Sequence, residues 1–252
     1  MVTVEQVLEA LRSNVTLDDT VKGNLEELII IFTTRYPNVS LVNLYNLLPT
    51  LKIEKSNKFV NKRIFKYSIG TNVLEFNIDR MNEDYDMKHI LMVALLNIIG
   101  NNGVQIGFNV NNKFEALQAG YLEILANHLV GNEAEVSYLE DEIISTNLIC
   151  TMIDPDILFE AYFTNNASML TEALVSERVI IMMNEMNYRY NNPGQAISVD
   201  KNLAQAFISK ERTPEAVAQF KNWASMSKEA KEIEPLLQMV QVVSLEQINQ
   251  IK

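Results

Sequence analysis

Met87-Lys88-His89-Ile90-Leu91-Met92-Val93-Ala94-Leu95-Leu96-Asn97-Ile98-Ile99 is the stretch that decides the fold. Only Lys88, His89 and Asn97 interrupt it, so it is apolar around most of a helical circumference and predicts a central, buried helix. Gly100-Asn101-Asn102-Gly103 stops it. Upstream, Val4, Val7, Leu8 and Leu11 recur at helical spacing, and Leu25, Leu28, Ile29 and Phe32 do so again after the start signal Asp18-Asp19. Pro37 closes the second of these helices, and Leu41 to Leu48 predicts a short third one ending near Pro49.

Between these helices and the central one the period changes. Phe65, Tyr67 and Ile69, then Leu74, Phe76 and Ile78, alternate with polar residues on either side of Gly70-Thr71-Asn72, which is a hairpin signature. Lys52 to Glu54 adds a third short strand. Downstream the pattern is helical throughout: about Lys113 to Val130, ended by Gly131-Asn132; about Glu135 to Ile153; a helix opening at Asp154-Pro155; and segments from about Ser168 to Tyr190. Asn191-Asn192-Pro193-Gly194 is the strongest break, after which Asp200 to Lys252 predicts about three amphipathic helices with starts at Thr213-Pro214-Glu215 and Ser244-Leu245-Glu246-Gln247. The expected fold is α+β, mostly α-helical, with a small β-hairpin or sheet packed on a helical core. A main domain covers residues 1–190, and a C-terminal helical appendage, 191–252, packs on the same core.

Composition narrows the function classes. The chain has 252 residues, 48% hydrophobic and 21% charged, enough to bury a sizeable core. Its net charge of -11 disfavours a broad phosphate-binding surface, so nucleic acid is not an expected partner. The densest basic cluster, Lys58, Lys62, Arg63 and Lys66, reads as a solvated hairpin edge guarded by lysines. No apolar run reaches the roughly 18 to 20 residues of a membrane span, and the first residues lack a basic region followed by an apolar one. A cytoplasmic location without membrane association is expected. The single cysteine, Cys150, lies in an apolar context that reads as core packing rather than a reactive thiol. Asn14-Val15-Thr16, Asn38-Val39-Ser40 and Asn166-Ala167-Ser168 match the glycosylation pattern by chance in an Asn-rich chain.

The helix order, the hairpin ending in Asn72-Val73-Leu74-Glu75-Phe76-Asn77-Ile78, the His89 helix and the later Ala116-Leu117-Gln118-Ala119-Gly120-Tyr121-Leu122-Glu123 together resemble small bacterial metallopeptidase-like proteins of the zincin type. The resemblance covers roughly residues 17–175. In such relatives the central helix carries H-E-x-x-H and a later A-L-N-E-G-x-T-E helix supplies the third zinc ligand. Aligned on those motifs, His89 keeps the first ligand, Ile90 replaces the catalytic glutamate, Val93 the second ligand and Ala119 the third. Gly120 and Glu123 match the tail of the second motif, where neither is a ligand.

The chemistry of those replacements argues against catalysis. A catalytic zinc needs three protein ligands at about 2.0 to 2.2 Å and an open position for water. One imidazole does not provide that. Positions 89 and 93 share a helix face, so Val93 places methyl groups where a second nitrogen is needed, and Ile90 accepts no proton from water. The expectation is therefore a pseudoenzyme: no catalytic residue, no metal ligand and no cofactor, with His89, Ile90, Val93, Ala119 and Glu123 as vestigial positions. It would act as a structural or protein-binding module for a protein partner whose identity, like the oligomeric state, the sequence leaves open.

Two other readings stand beside it. A divergent hydrolase would rebuild a metal site from His89, Glu115 and Glu123, the two glutamates lying one helical turn on either side of Ala119; the simpler reading makes both glutamates solvent-facing and His89 a hydrogen-bonded core or groove residue. A helical structural protein with an accidental resemblance would lack a hairpin beside the His89 helix. Elsewhere, Glu140-Asp141-Glu142 reads as a solvated helix face, and His128 as a surface residue. Met182, Met183, Met186, Tyr188 and Tyr190 read as helix packing rather than an adaptable binding surface.

Overall fold

The computed structural model describes residues 2–57, 59, 63–80, 86–131 and 139–243. Twelve α-helices and a three-stranded sheet lie among them, and none of these helices is long and apolar enough to cross a membrane. The chain forms two compact units. The first comprises Met1–Val110, Leu122–Tyr138 and Glu160–Ala167; the second comprises Asn111–Tyr121, Leu139–Phe159 and Ser168–Lys252.

In the first unit, α1 (Val4–Arg12) opens on a reciprocal cap between Thr3 and Gln6 and buries Val7, Ala10 and Leu11. Helix α2 (Asp19–Arg35) is capped by Asp18 and buries Leu25, Leu28, Ile29 and Phe32, the spacing of one helical stripe. The short α3 (Val42–Leu47) passes into a 3-10 turn over Leu48–Thr50 that contains Pro49. Helix α4 (Met87–Ile99) begins where the Asp86 side chain accepts from the Lys88 N–H at 2.8 Å. All but Met87, Lys88 and Asn97 of its residues are buried, which makes it the core helix that its composition predicts.

Strands β1 (Lys52–Ser56), β2 (Phe65–Ser68) and β3 (Val73–Asn77) form a sheet of order β1-β3-β2. The hairpin pairs antiparallel with Phe65 opposite Phe76 and Tyr67 opposite Leu74. In its turn Asn72, with φ of 53°, takes the left-handed conformation two residues after Gly70. Asparagine tolerates that region because its short amide finds local partners. Here the amide accepts from the Tyr67 hydroxyl at 2.8 Å and donates to the Leu47 carbonyl at 2.7 Å. Strand β1 runs parallel to β3, so β3 is central. Strand β2 packs against α4, which places a hairpin beside the His89 helix. Of the basic cluster, Lys58 and Lys62 lie outside the described residues.

Asparagine amides carry much of the long-range polar bonding of this unit. Asn14, 1% exposed, donates to the carbonyls of Leu48 and Leu51, so its amide is committed to the fold. At the end of α4, Asn43 donates to the Ile99 and Asn101 carbonyls, and Asn165 to those of Gly100 and Gly107. The Tyr162 hydroxyl donates to the Leu96 carbonyl at 2.9 Å. Gly100 makes room for that ring, because a Cβ there would lie 2.8 Å from the Tyr162 hydroxyl oxygen.

The second unit holds α6 (Glu140–Cys150), α8 (Ala167–Ser176, from Ser168 onward), α9 (Met182–Asn191), α10 (Val199–Ile208), α11 (Pro214–Met226) and α12 (Ala230–Leu237). Helices α5 (Glu115–Val130) and α7 (Pro155–Phe163) contribute residues to both units. Helices α10 and α11 pack on α6, with Phe207 stacked on Phe220 at 4.0 Å between ring centroids. Thr213 and Pro214 start α11 as expected. The start at Ser244 and the proposed helix start near Glu135 lie outside the described residues. Met183, Met186 and Tyr190 are buried in helix packing, whereas Tyr188 is exposed.

Candidate functional site

His89 sits in the first turns of α4 and is 8% exposed. Its Nε2 lies 2.6 Å from Oε2 of Glu123 on α5, both within the first unit. A carboxylate oxygen accepts, so this bond fixes the ring proton on Nε2. Nδ1 is buried and has no hydrogen-bond partner among the described residues. Ile90 and Val93, at 3% and 4% exposure, are ordinary core residues around it.

The expectation of two solvent-facing glutamates is thereby corrected for one of them. Glu123 is 2% exposed, and its carboxylate is satisfied by an imidazole from a helix 34 residues earlier. Glu115, in the second unit, is half-buried and accepts from Asn191 Nδ2 at 3.0 Å. Ala119 is half-buried on α5. Among the described residues, no group of three His, Cys, Asp or Glu side chains is arranged to hold a metal ion. His128 is exposed and lies 3.2 Å from Nη2 of Arg35.

The larger buried polar centre lies in the second unit, and sequence patterning missed it. Glu142, expected on a solvated face, is 3% exposed. It belongs to a polar stripe on α6, with Ser145 and Thr146 also buried. Arg189 on α9 donates through Nη2 to the Asp141 carbonyl and to Ser145 Oγ, each at 2.8 Å. Its guanidinium lies 3.9 Å from Glu142 and 3.7 Å from Asp200. Asp200, 3% exposed at the start of α10, accepts from Ser145 and, at 2.6 Å, from Ser227. A buried guanidinium so placed offsets two carboxylates that would otherwise be expensive to desolvate. The one legible signal was the polar stripe Glu142, Ser145, Thr146 at helical spacing.

In the second unit burial and pairing act in opposite senses. Burial raises the Glu229 carboxyl above its ordinary value, opposed by the Lys201 N–H and reinforced by the charge of Asp200. Burial also pushes Glu177 up, but hydrogen bonds from Lys210 and Arg212 outweigh it and hold the carboxyl below its ordinary value. Cys150, at the end of α6, is half-buried as a residue, and burial pushes its thiol from an ordinary 9.0 up to about 12. Its alkylation by iodoacetamide at mildly alkaline pH is expected to run on the order of 1000-fold slower in the native chain than in the denatured one. Equal rates, followed by mass spectrometry, would show an accessible thiolate instead.

The chain matches no protein-family model, no curated protein and no solved structure.

Proposed function

We propose that this protein is a catalytically inactive, metallopeptidase-like pseudoenzyme of the zincin type, acting in the cytoplasm as a protein-binding or structural module. The engagement of His89 by Glu123 carries the reading: the one histidine left of the motif spends Nε2 on an internal carboxylate at 2.6 Å. The burial of Ile90 and Val93 beside it supports the same reading, since hydrocarbon stands where a base and a second ligand would be needed. The hairpin packed against α4 favours this architecture over an accidental helical resemblance.

The competing reading, a hydrolase with a metal held by His89, Glu115 and Glu123, has two of its three residues in contact. Metal analysis of protein purified without chelator separates the two. The pseudoenzyme is expected to carry far less than stoichiometric zinc, to melt at the same temperature with and without chelator, and to leave peptide libraries uncleaved. Stoichiometric zinc that disappears in His89→Ala, together with cleavage, would establish the hydrolase. Chemical cross-linking in cells, followed by reconstitution of the complex from purified components, tests the module role; a chain that cross-links to nothing and stays alone would overturn it.

A further inference from the structure

We infer that Asn102-Gly103, in the loop after α4, is a self-modifying peptide bond that cyclises to a succinimide and opens to aspartate and isoaspartate. It is the one Asn-Gly pair in the chain. Both residues are exposed, so solvent base reaches them. Gly103 has φ of 87°, and no group beyond its chain neighbours lies within 4 Å of where its Cβ would be, so no side chain crowds the glycine. The reacting groups are also held in place. Asn102 Oδ1 accepts from the Val104 N–H at 3.0 Å and from the Gln105 N–H at 2.9 Å. The Gly103 N–H donates to Asn101 Oδ1 at 2.7 Å, a bond that has to open before the nitrogen can react.

Those contacts fit the transition state of the reaction. Once the Gly103 N–H leaves Asn101 Oδ1, solvent base removes its proton, and the nitrogen attacks Cγ of Asn102. Negative charge then develops on Oδ1, where two backbone N–H groups already point, as in an oxyanion hole. The intermediate collapses by breaking the Cγ–Nδ2 bond, and the amide nitrogen leaves as ammonia after taking a proton from water. Water then adds to the cyclic imide: breaking the bond at Cγ gives aspartate, and breaking it at the main-chain carbonyl gives isoaspartate. The second product inserts a methylene into a loop closed by the Asn102 N–H to the Gln105 carbonyl at 3.1 Å and by the Asn101–Ile106 bridge.

The test is to age the native chain in mildly alkaline buffer and locate the amide-to-acid mass gain by peptide mapping, with isoaspartate measured by enzymatic methylation. The same chain in urea and a synthetic peptide of residues 97–108 serve as references. Conversion at Asn102 is expected to be several-fold faster in the native chain than in either reference, and Asn102→Gln is expected to abolish it. Conversion slower in the native chain than in urea, or equal to it, or a mass gain that maps to a different asparagine, would overturn the inference.

Discussion

Replacing Arg189 by methionine is expected to destabilise the protein by about 3–5 kcal/mol, the cost of leaving buried carboxylates without their cation. The loss of charge is the larger part, because Glu142 and Asp200 are each only 3% exposed and both lie within 4 Å of the guanidinium. The hydrogen bonds are the smaller part: Ser145 and the Asp141 carbonyl each lose a donor at 2.8 Å. At ~2–4 °C per kcal/mol for a chain of this size, the melting temperature should fall by roughly 6 to 20 °C. Lysine is a poor substitute, since one ammonium nitrogen does not reproduce a planar guanidinium whose Nη2 holds Asp141 and Ser145 while Nε faces Glu142 and Nη1 faces Asp200. Adding Asp200→Leu to the methionine variant should recover part of the loss, because it removes one of the stranded charges. A melting temperature within a degree or so of the parent for Arg189→Met would refute this account of the centre.

The second large effect is expected at Gly120, and its sign runs against helix propensity. Alanine in an exposed helix interior is favoured over glycine by about 1 kcal/mol. Gly23, exposed on α2 with nothing within 4 Å of its would-be Cβ, should follow that rule, and Gly23→Ala should stabilise. Gly120→Ala should instead destabilise by at least about 2 kcal/mol, as overpacking does when the neighbour is rigid. A Cβ at Gly120 would overlap the Glu142 carbonyl oxygen and Thr146 Oγ1, and would sit 2.8 Å from the Glu142 carbonyl carbon. Backbone of α6 cannot step aside as a long side chain can. Denaturant midpoints of the two variants, measured side by side, check the claim; a shared direction of change would refute it.

The elements whose signals are local were legible. The bounds of α4 follow from its apolar run and the Gly100 stop, and the structure gives Met87–Ile99. The hairpin followed from alternation around a turn, and its antiparallel register is what alternation implies. The parallel pairing of β1 with β3 was not legible, because a short strand carries no mark of which neighbour it will join once a connection crosses over. Glu123 shows the same limit at the level of one side chain. Its local setting on α5 suggests a solvated glutamate, and only the arrival of α4 supplies the imidazole that makes burial tolerable. The Arg189 centre draws on α6, α9, α10 and the turn before α12, so no window of sequence contains it. Polar residues spaced along α6 were the only trace it left.

The asparagine bonds of the first unit set how that unit answers its surroundings. Asn14, Asn43, Asn72 and Asn165 hold carbonyls of distant segments through neutral amides, which neither titrate nor attract counterions. These amide fastenings are indifferent to acidity and ionic strength. The second unit is fastened by Arg189 with Asp200 and by Glu177 with Lys210 and Arg212. The Glu177 carboxyl is held below its ordinary value, so the stability it contributes is lost as pH falls through that lowered value, and acid should loosen the second unit there while the amide fastenings of the first unit are unaffected.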